Sequence, residues 1–588
     1  MRRRSTAAIV LSALAAAGVA CSTPSGPEPD VVYHNAKVVT VNGGFEVVEA
    51  VAVAGERIVA VGSDATVKAL ARPTTRVVDL GGKPLLPGFY DNHIHLGGPL
   101  QPWKWGGWID EVPEWLRGAD TLEKLMAAVK AEAERTPKGE WIRGAIAREE
   151  WPNDALPTRW HFDRVAPDHP VAIGRGPHTL LVNSKALEVA GVTRDTKPEG
   201  GEIVHDEKGE PTGKILESAR RVITRVMPPE ARSGPEEQLE DWRQLLRQLV
   251  SLGVTSVNVA GVRPDGLPLV RTLYERYGDE LPRMTVQLRV SPGYDTHDDI
   301  EEGVRQSIAE IEAIGDPRTV FSGDRVKMGA VKMSIDGGLS APIFWSTKPY
   351  ENRPGFHGEQ RIPDSAFARV ARRAHELGWQ TGTHVMGDAA TVMVVNQLEQ
   401  ILRDLPRADH RHYLHHVAVL PPEATVKQMA ANGIMVASQP GFLLALGSYA
   451  DEALEPEREA TQQPSRSLLR HGVRMSYGSD AGPYGPIAGL FAAITRTGWN
   501  GVVHGKEEAV TIEEAIRMHT YEPAYFTFDE QTRGSIEVGK VADFVVLSDD
   551  LLTIAPERIP EVQIERTVVA GRELYRRSGT VGTASAGR

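Results

Sequence analysis

Apolar and polar positions alternate over short runs at the two ends of the chain and follow a longer period between them. From Val31 to Val78 the runs Val31-Val32-Tyr33, Lys37-Val38-Val39-Thr40-Val41, Ala50-Val51-Ala52-Val53 and Arg57-Ile58-Val59-Ala60-Val61-Gly62 are too short for helices, and Gly43-Gly44 and Gly55-Glu56 supply turns. Runs of this length bounded by glycine read as β-strands. The same texture returns in Asp543-Phe544-Val545-Val546-Leu547 and Thr567-Val568-Val569-Ala570-Gly571, so residues 30–86 and 535–578 are expected to pair into one small β-sandwich. Between them, apolar runs ending in Gly, His or Asp alternate with amphipathic stretches such as Asp364 to Leu377 and Ala389 to Leu402. That rhythm predicts an α/β chain whose residues 87–534 form a (β/α)8 TIM-like barrel. A plain barrel needs roughly 250 residues. The surplus predicts an insertion subdomain at about 138–231, where Gly200-Gly201 and Asp206-Glu207-Lys208-Gly209 mark hairpins.

A barrel changes the meaning of the lone polar residues that end its apolar runs, because functional side chains of this fold sit at the C-terminal ends of strands. His93 and His95 follow Pro87-Gly88-Phe89 and lie two apart, so a strand turns both to one face. Lys332, His384, His416 and Asp480 end later runs. Paired His, Lys, His, His and Asp, in that order, form the donor set of a two-metal hydrolase. Imidazole and carboxylate suit two divalent ions, zinc first, with manganese or iron as substitutes. Two ions about 3.5 to 4 Å apart acidify a bridging water and polarise a carbonyl. Asp480 is the candidate catalytic residue that binds one ion and carries a proton from the attacking hydroxide to the leaving nitrogen. His415 directly precedes His416; adjacent strand residues face opposite ways, so only one of the two is expected to point inward. His178, in the insertion, is the second catalytic candidate, for substrate or oxyanion contact. Asp336 and Asp388 follow ligands closely and are candidates for orienting them.

The net charge of −12 argues against nucleic acid as a partner, and no basic cluster opposes that. Residues 1–21 read as a signal peptide: Arg2, Arg3 and Arg4, an apolar run from Ala7 to Ala20, then Cys21. The run is too short to span a bilayer of roughly 30 Å. Gly18-Val19-Ala20-Cys21 has the form of a bacterial lipobox, with Gly18 where Leu is usual. Cys21 is the single cysteine, so no internal disulfide and no thiolate ligand can form, and its expected role is lipidation. Residues 22–29 read as a flexible tether and 579–588 as a disordered tail. The expected product is an exported bacterial lipoprotein of the cell or outer membrane. Its partners would be a small-molecule substrate and, through the anchor, a membrane; a homo-oligomer stays open.

His93-Ile94-His95 after Pro-Gly-Phe, Lys332 with Asp336-Gly337, His384 with Gly387-Asp388, His416 and Gly478-Ser479-Asp480 together resemble the YtcJ-like branch of the amidohydrolase superfamily, which includes N-substituted formamide deformylases. The resemblance extends to His178-Thr179-Leu180-Leu181-Val182-Asn183-Ser184-Lys185-Ala186-Leu187 and to Gly534-Ser535-Ile536-Glu537-Val538-Gly539-Lys540-Val541-Ala542-Asp543. It implies hydrolysis of a C–N bond in an amide, formamide, carbamate or cyclic amide by a metal-bridging hydroxide. It also implies a carbon dioxide-derived carbamate on Lys332 and, by register, His416 as the ligand. Two departures stand out: His415-His416 where the family commonly has Glu-His, and Glu149-Glu150-Trp151 where it has Gly-x-Asp. An esterase or deaminase on the same barrel, or an inactive surface-binding lipoprotein, are the competing readings.

Overall fold

The computed structural model describes residues 27–578 except 104–105, 110–111, 147–150, 152–154, 230–233, 341 and 452. Cys21, its signal segment, most of the tether, Glu149-Glu150 and the 579–588 tail lie outside the described residues.

Eight strands form one parallel sheet: β1 Phe89–Ile94, β2 Val254–Val262, β3 Arg283–Arg289, β4 Val326–Ser334, β5 Thr381–Val385, β6 Tyr413–His416, β7 Met435–Ser438 and β8 Met475–Tyr477. Each pairs with the next in chain order. An isolated parallel bridge between Ile94 and Asp480 brings the last strand back to the first and nearly closes the barrel. Closure needs a tight approach: a Cβ at Gly478 would lie 2.5 Å from the His93 nitrogen, so only glycine fits there.

The helices between strands form for local reasons. In Asp364–Glu376, Ala366, Phe367, Val370, Ala371 and Ala374 fall three and four residues apart and bury one stripe against the sheet. Asp364 complements the helix N-terminus, and Gly378, with φ +85°, lets the chain leave the C-terminal end.

The two chain ends do pair. Strand Pro84–Pro87 hydrogen-bonds antiparallel to Phe544–Leu547 and parallel to Lys37–Val39 in a six-stranded sheet. A four-stranded sheet containing Val31–His34 and Ala50–Ala54 faces it, and Tyr33, Val51, Val53 and Ile58 share a core with Phe544, Val546 and Val568. Pro84–Pro87 leads directly into β1, so the sandwich clamps the start of the barrel.

The insertion lies between β1 and β2 and carries a five-stranded sheet, Ile142–Ile146, Val171–Arg175, Thr179–Val182, Pro211–Glu217 and Gly201–His205 in spatial order. Its core includes Leu125 and Val129 of the helix Leu122–Arg135, packed with Ile142, Phe162 and Ile173. Among the described residues no helix is long and apolar enough to cross a membrane.

Candidate metal centre

His93 near the end of β1, Lys332 on β4, His384 on β5, His416 at the end of β6 and Asp480 after β8 converge on one mouth of the barrel, and all line a cavity of about 1100 Å³ with His95. The Nε2 of His95 lies 3.2 Å from Asp480 Oδ1 and that of His93 3.8 Å from the same oxygen. His416 Nδ1 is 3.8 Å from Asp480 Oδ2, and the His384 and His416 rings cross at 4.5 Å. His93, His95 and Asp480 each offer one ligand atom within 4.8 Å of the others.

Two left-handed residues produce this convergence. His416 has φ +73° and Asp480 φ +56°, conformations uncommon for residues with a Cβ. The turn at His416 corrects the expectation that only one of His415 and His416 points inward. His415 keeps the strand alternation and faces the barrel interior, where its ring lies 4.1 Å from that of His93. His416 is rotated out of alternation toward Asp480 and His384, so both imidazoles join the cluster.

His415 ends a buried chain of polar groups. Gln287 donates its Nε2 to Asn258 Oδ1 at 3.2 Å, which leaves its Oε1 to accept from His415 Nε2 at 2.9 Å. Burial holds His415 neutral, so its Nδ1 accepts from His93 Nδ1 at 2.7 Å. In this amide orientation the lone pair of His93 is on Nε2, the atom nearest Asp480. Gln439 similarly holds His416 Nδ1 at 2.5 Å.

The charge states suit cation binding. Burial depresses His93 and His384 well below the usual histidine value and takes His416 down to about 3, leaving neutral rings with free lone pairs. Burial alone would raise the Asp480 carboxyl, yet its hydrogen bond to His95 and the charges of His95 and Lys332 hold it below the ordinary range. Burial pushes the Lys332 amine down to about 7, opposed by Asp480 and reinforced by Arg289, and the amine makes no hydrogen bond or ion pair with any described residue. The Nε2 atoms of His93 and His384 are buried without a hydrogen-bond partner. Orphaned imidazole nitrogens beside carboxylates, His93 Nε2 at 3.8 Å from Asp480 and His384 Nε2 at 3.6 Å from Asp336, fit a divalent metal.

The insertion reaches the same mouth. Glu217, left-handed at φ +55°, accepts from His178 Nδ1 at 2.9 Å, from the Gly338 N–H at 2.8 Å and from Arg361. The His178 ring fills the space a Cβ at Gly338 would need. Asp336 accepts the N–H groups of Met386, Gly387 and Trp345 at 2.9, 2.8 and 3.0 Å, which pins the loop after His384. Asp388 does not orient a ligand: it binds Thr347 and Arg458, because its position opens a helix that runs away from the mouth. Trp151 is buried and donates to the Ala119 carbonyl. The pattern missed His415 and Gln287 as a pair, although Met284-Thr285-Val286-Gln287-Leu288-Arg289 already shows polar residues at alternate positions of an apolar run.

A family model described as an amidohydrolase family matches residues 76–575. The chain belongs to the amidohydrolase family. Membership makes it a hydrolase. It is 30% identical over 565 residues to the N-substituted formamide deformylase of Arthrobacter pascens, covering 94% of this chain and 99% of that one. It is 28% identical over 518 residues to the protein YtcJ of Bacillus subtilis (strain 168), covering 86% and 92%. Among solved structures, an uncharacterized metal-dependent hydrolase from Pyrococcus horikoshii OT3 superposes with a TM-score of 0.65 at 22% identity, over 90% of this chain and 99% of that one, and shares the fold.

Proposed function

We propose that this amidohydrolase cleaves a C–N bond of a small amide, formamide, carbamate or cyclic amide with two divalent ions, zinc by preference, held by His93, His95, Lys332, His384, His416 and Asp480. The observation that carries the reading is the convergence of one ligand atom each from His93, His95 and Asp480 within 4.8 Å, with the Nε2 atoms of His93 and His384 buried and unpartnered in the same cavity. The name of the Arthrobacter relative supports an amide rather than an ester. Such ions, held by these residues, would supply Lewis acidity and an acidified water as nucleophile.

The residues do the rest. Asp480, held ionised by its neighbours, accepts the proton of the nucleophile and returns it to the leaving nitrogen. Lys332, whose amine burial brings close to neutrality, would attack carbon dioxide and lose one N–H proton to solvent, and the resulting carbamate would share one negative charge over two oxygens where an ammonium would repel cations. His178, steadied by Glu217 at the rim, contacts the carbonyl oxygen. Export and a lipid anchor on Cys21 complete the reading.

Elemental analysis of protein purified without chelator tests it, with close to two divalent ions per chain expected. A value near one, joined to ammonia release from an amino-substituted heterocycle, moves the assignment to a deaminase. A value near zero that zinc or manganese does not raise overturns it.

A further inference from the structure

One wall of the cavity is far more basic than a neutral amide requires. Arg289 ends β3, and Arg263 follows β2; both line the cavity with Arg220 of the insertion. Neither the Arg289 nor the Arg263 guanidinium makes a hydrogen bond or ion pair with any described residue. Arg220 donates its Nε only to the Glu217 carbonyl, at 3.2 Å. Glu217 is engaged by Arg361 and His178 and its charge also acts on Arg220, so it is spent on that side of the cavity and leaves Arg289 and Arg263 without its help. The remaining carboxylate here, Asp295, accepts from Ser291 at 3.1 Å and forms no ion pair with Arg289. Arg289 and Arg263 therefore share one nearby acid, Asp295, whose charge acts on Arg289 without forming an ion pair.

Arg289 is also placed deliberately by the fold. It stands opposite Lys332 in the β3–β4 register, and paired strands run about 4.8 Å apart. A Cβ at Gly261 would lie 3.2 Å from the Arg289 Cβ, so glycine on β2 leaves room for the arginine to cross the rim. Burial depresses the Arg289 pKa, a cost that an anionic partner would relieve.

Resting on the amide-hydrolase reading above, we propose that the substrate carries a carboxylate close to the scissile carbonyl, bound by Arg289 with Arg263 and Arg220. The planar guanidinium fork matches a carboxylate in bidentate geometry. The register with Lys332, on whose amine the Arg289 charge acts, puts the proposed carboxylate site next to the metal centre.

The test compares N-formylphenylglycine with N-benzylformamide, which differ only by the carboxylate, on metal-loaded enzyme. The ratio of their kcat/KM values is expected to exceed about ten. It should fall on the order of 10- to 100-fold in Arg289→Gln, the scale of a charge-assisted hydrogen bond, and less in the exposed Arg263→Gln. Equal kcat/KM values, or a ratio unchanged in Arg289→Gln, overturn the proposal. Calorimetry reads the same site without turnover: phenylacetate should bind more tightly than phenylacetamide, and the preference should vanish in Arg289→Gln. No preference, or one that survives the substitution because the acid sits on the metals, overturns it. If neither formamide is hydrolysed, the C–N reading fails while the calorimetry still decides the carboxylate site.

Discussion

The backbone N–H of Asp480 donates to the carbonyl oxygen of His93 at 2.6 Å, and this bond joins the last barrel strand to the first at the point where both carry donors. Asp91 reinforces it, accepting the Ser479 N–H at 2.9 Å and the Ser479 hydroxyl at 2.5 Å. Barrel closure and assembly of the His93, His95 and Asp480 group are thus one event.

Asp480→Asn keeps the shape of the side chain but cannot relay a proton. Turnover should fall by at least the 10² to 10⁴-fold typical of general acid–base catalysis, with metal content reduced and the melting temperature little changed. Near-wild-type rates with both ions bound would remove Asp480 from the chemistry.

Lys332→Ala should lose metal and activity, with partial rescue by short carboxylic acids that place an anionic oxygen pair where the proposed carbamate would stand. Elemental analysis and rates with and without added acetate or propionate check this. Full metal content and wild-type turnover in the variant would refute the carbamate.

His415→Phe leaves Gln287 and His93 Nδ1 without their partner while keeping an aromatic ring at the position. His415 acts through His93, so the expected change is in metal affinity, weakened about 10- to 100-fold as for other groups that orient a ligand. Chelator competition measures it. An unaltered affinity would show that His93 keeps its orientation unaided.

Glu217 gives the pH dependence a definite sign. Burial would raise its carboxyl, but Arg361 and His178 hold it at about 2 against an ordinary 4.5. A depressed folded pKa stabilises above the unfolded value, here by about 3 kcal/mol, and that contribution fades as pH falls from 4.5 toward 2. The stability gap between wild type and Glu217→Gln in urea titrations should be widest near pH 7 and narrow toward pH 3.5. A constant gap would contradict the assignment.

Cys21→Ser should block lipidation and shift the protein from the membrane fraction to a soluble or unprocessed form. Several acyl chains anchor lastingly where one binds marginally. A mature N-terminus beyond Cys21 in mass spectrometry would rule out the anchor.

The sequence by itself determined the barrel, the sandwich of the two ends and the residues at the strand ends. Those features rest on local periodicity: period two in Val31–Val78, the βα rhythm through Asp364 and Ala389, and lone polar residues closing apolar runs. Tertiary structure alone decided what depends on distant segments meeting or on a backbone leaving its regular form. Alternation on β6 predicted one inward histidine, and the left-handed turn at His416 made it two. Glu217 and Arg361 are 144 residues apart, and no period links them; they meet because the insertion folds back over the barrel mouth. Arg289 looks like an ordinary strand-end cation in the chain, and only the packing of β2, β3 and the insertion sets it on the cavity wall with Asp295 near it but no ion pair formed.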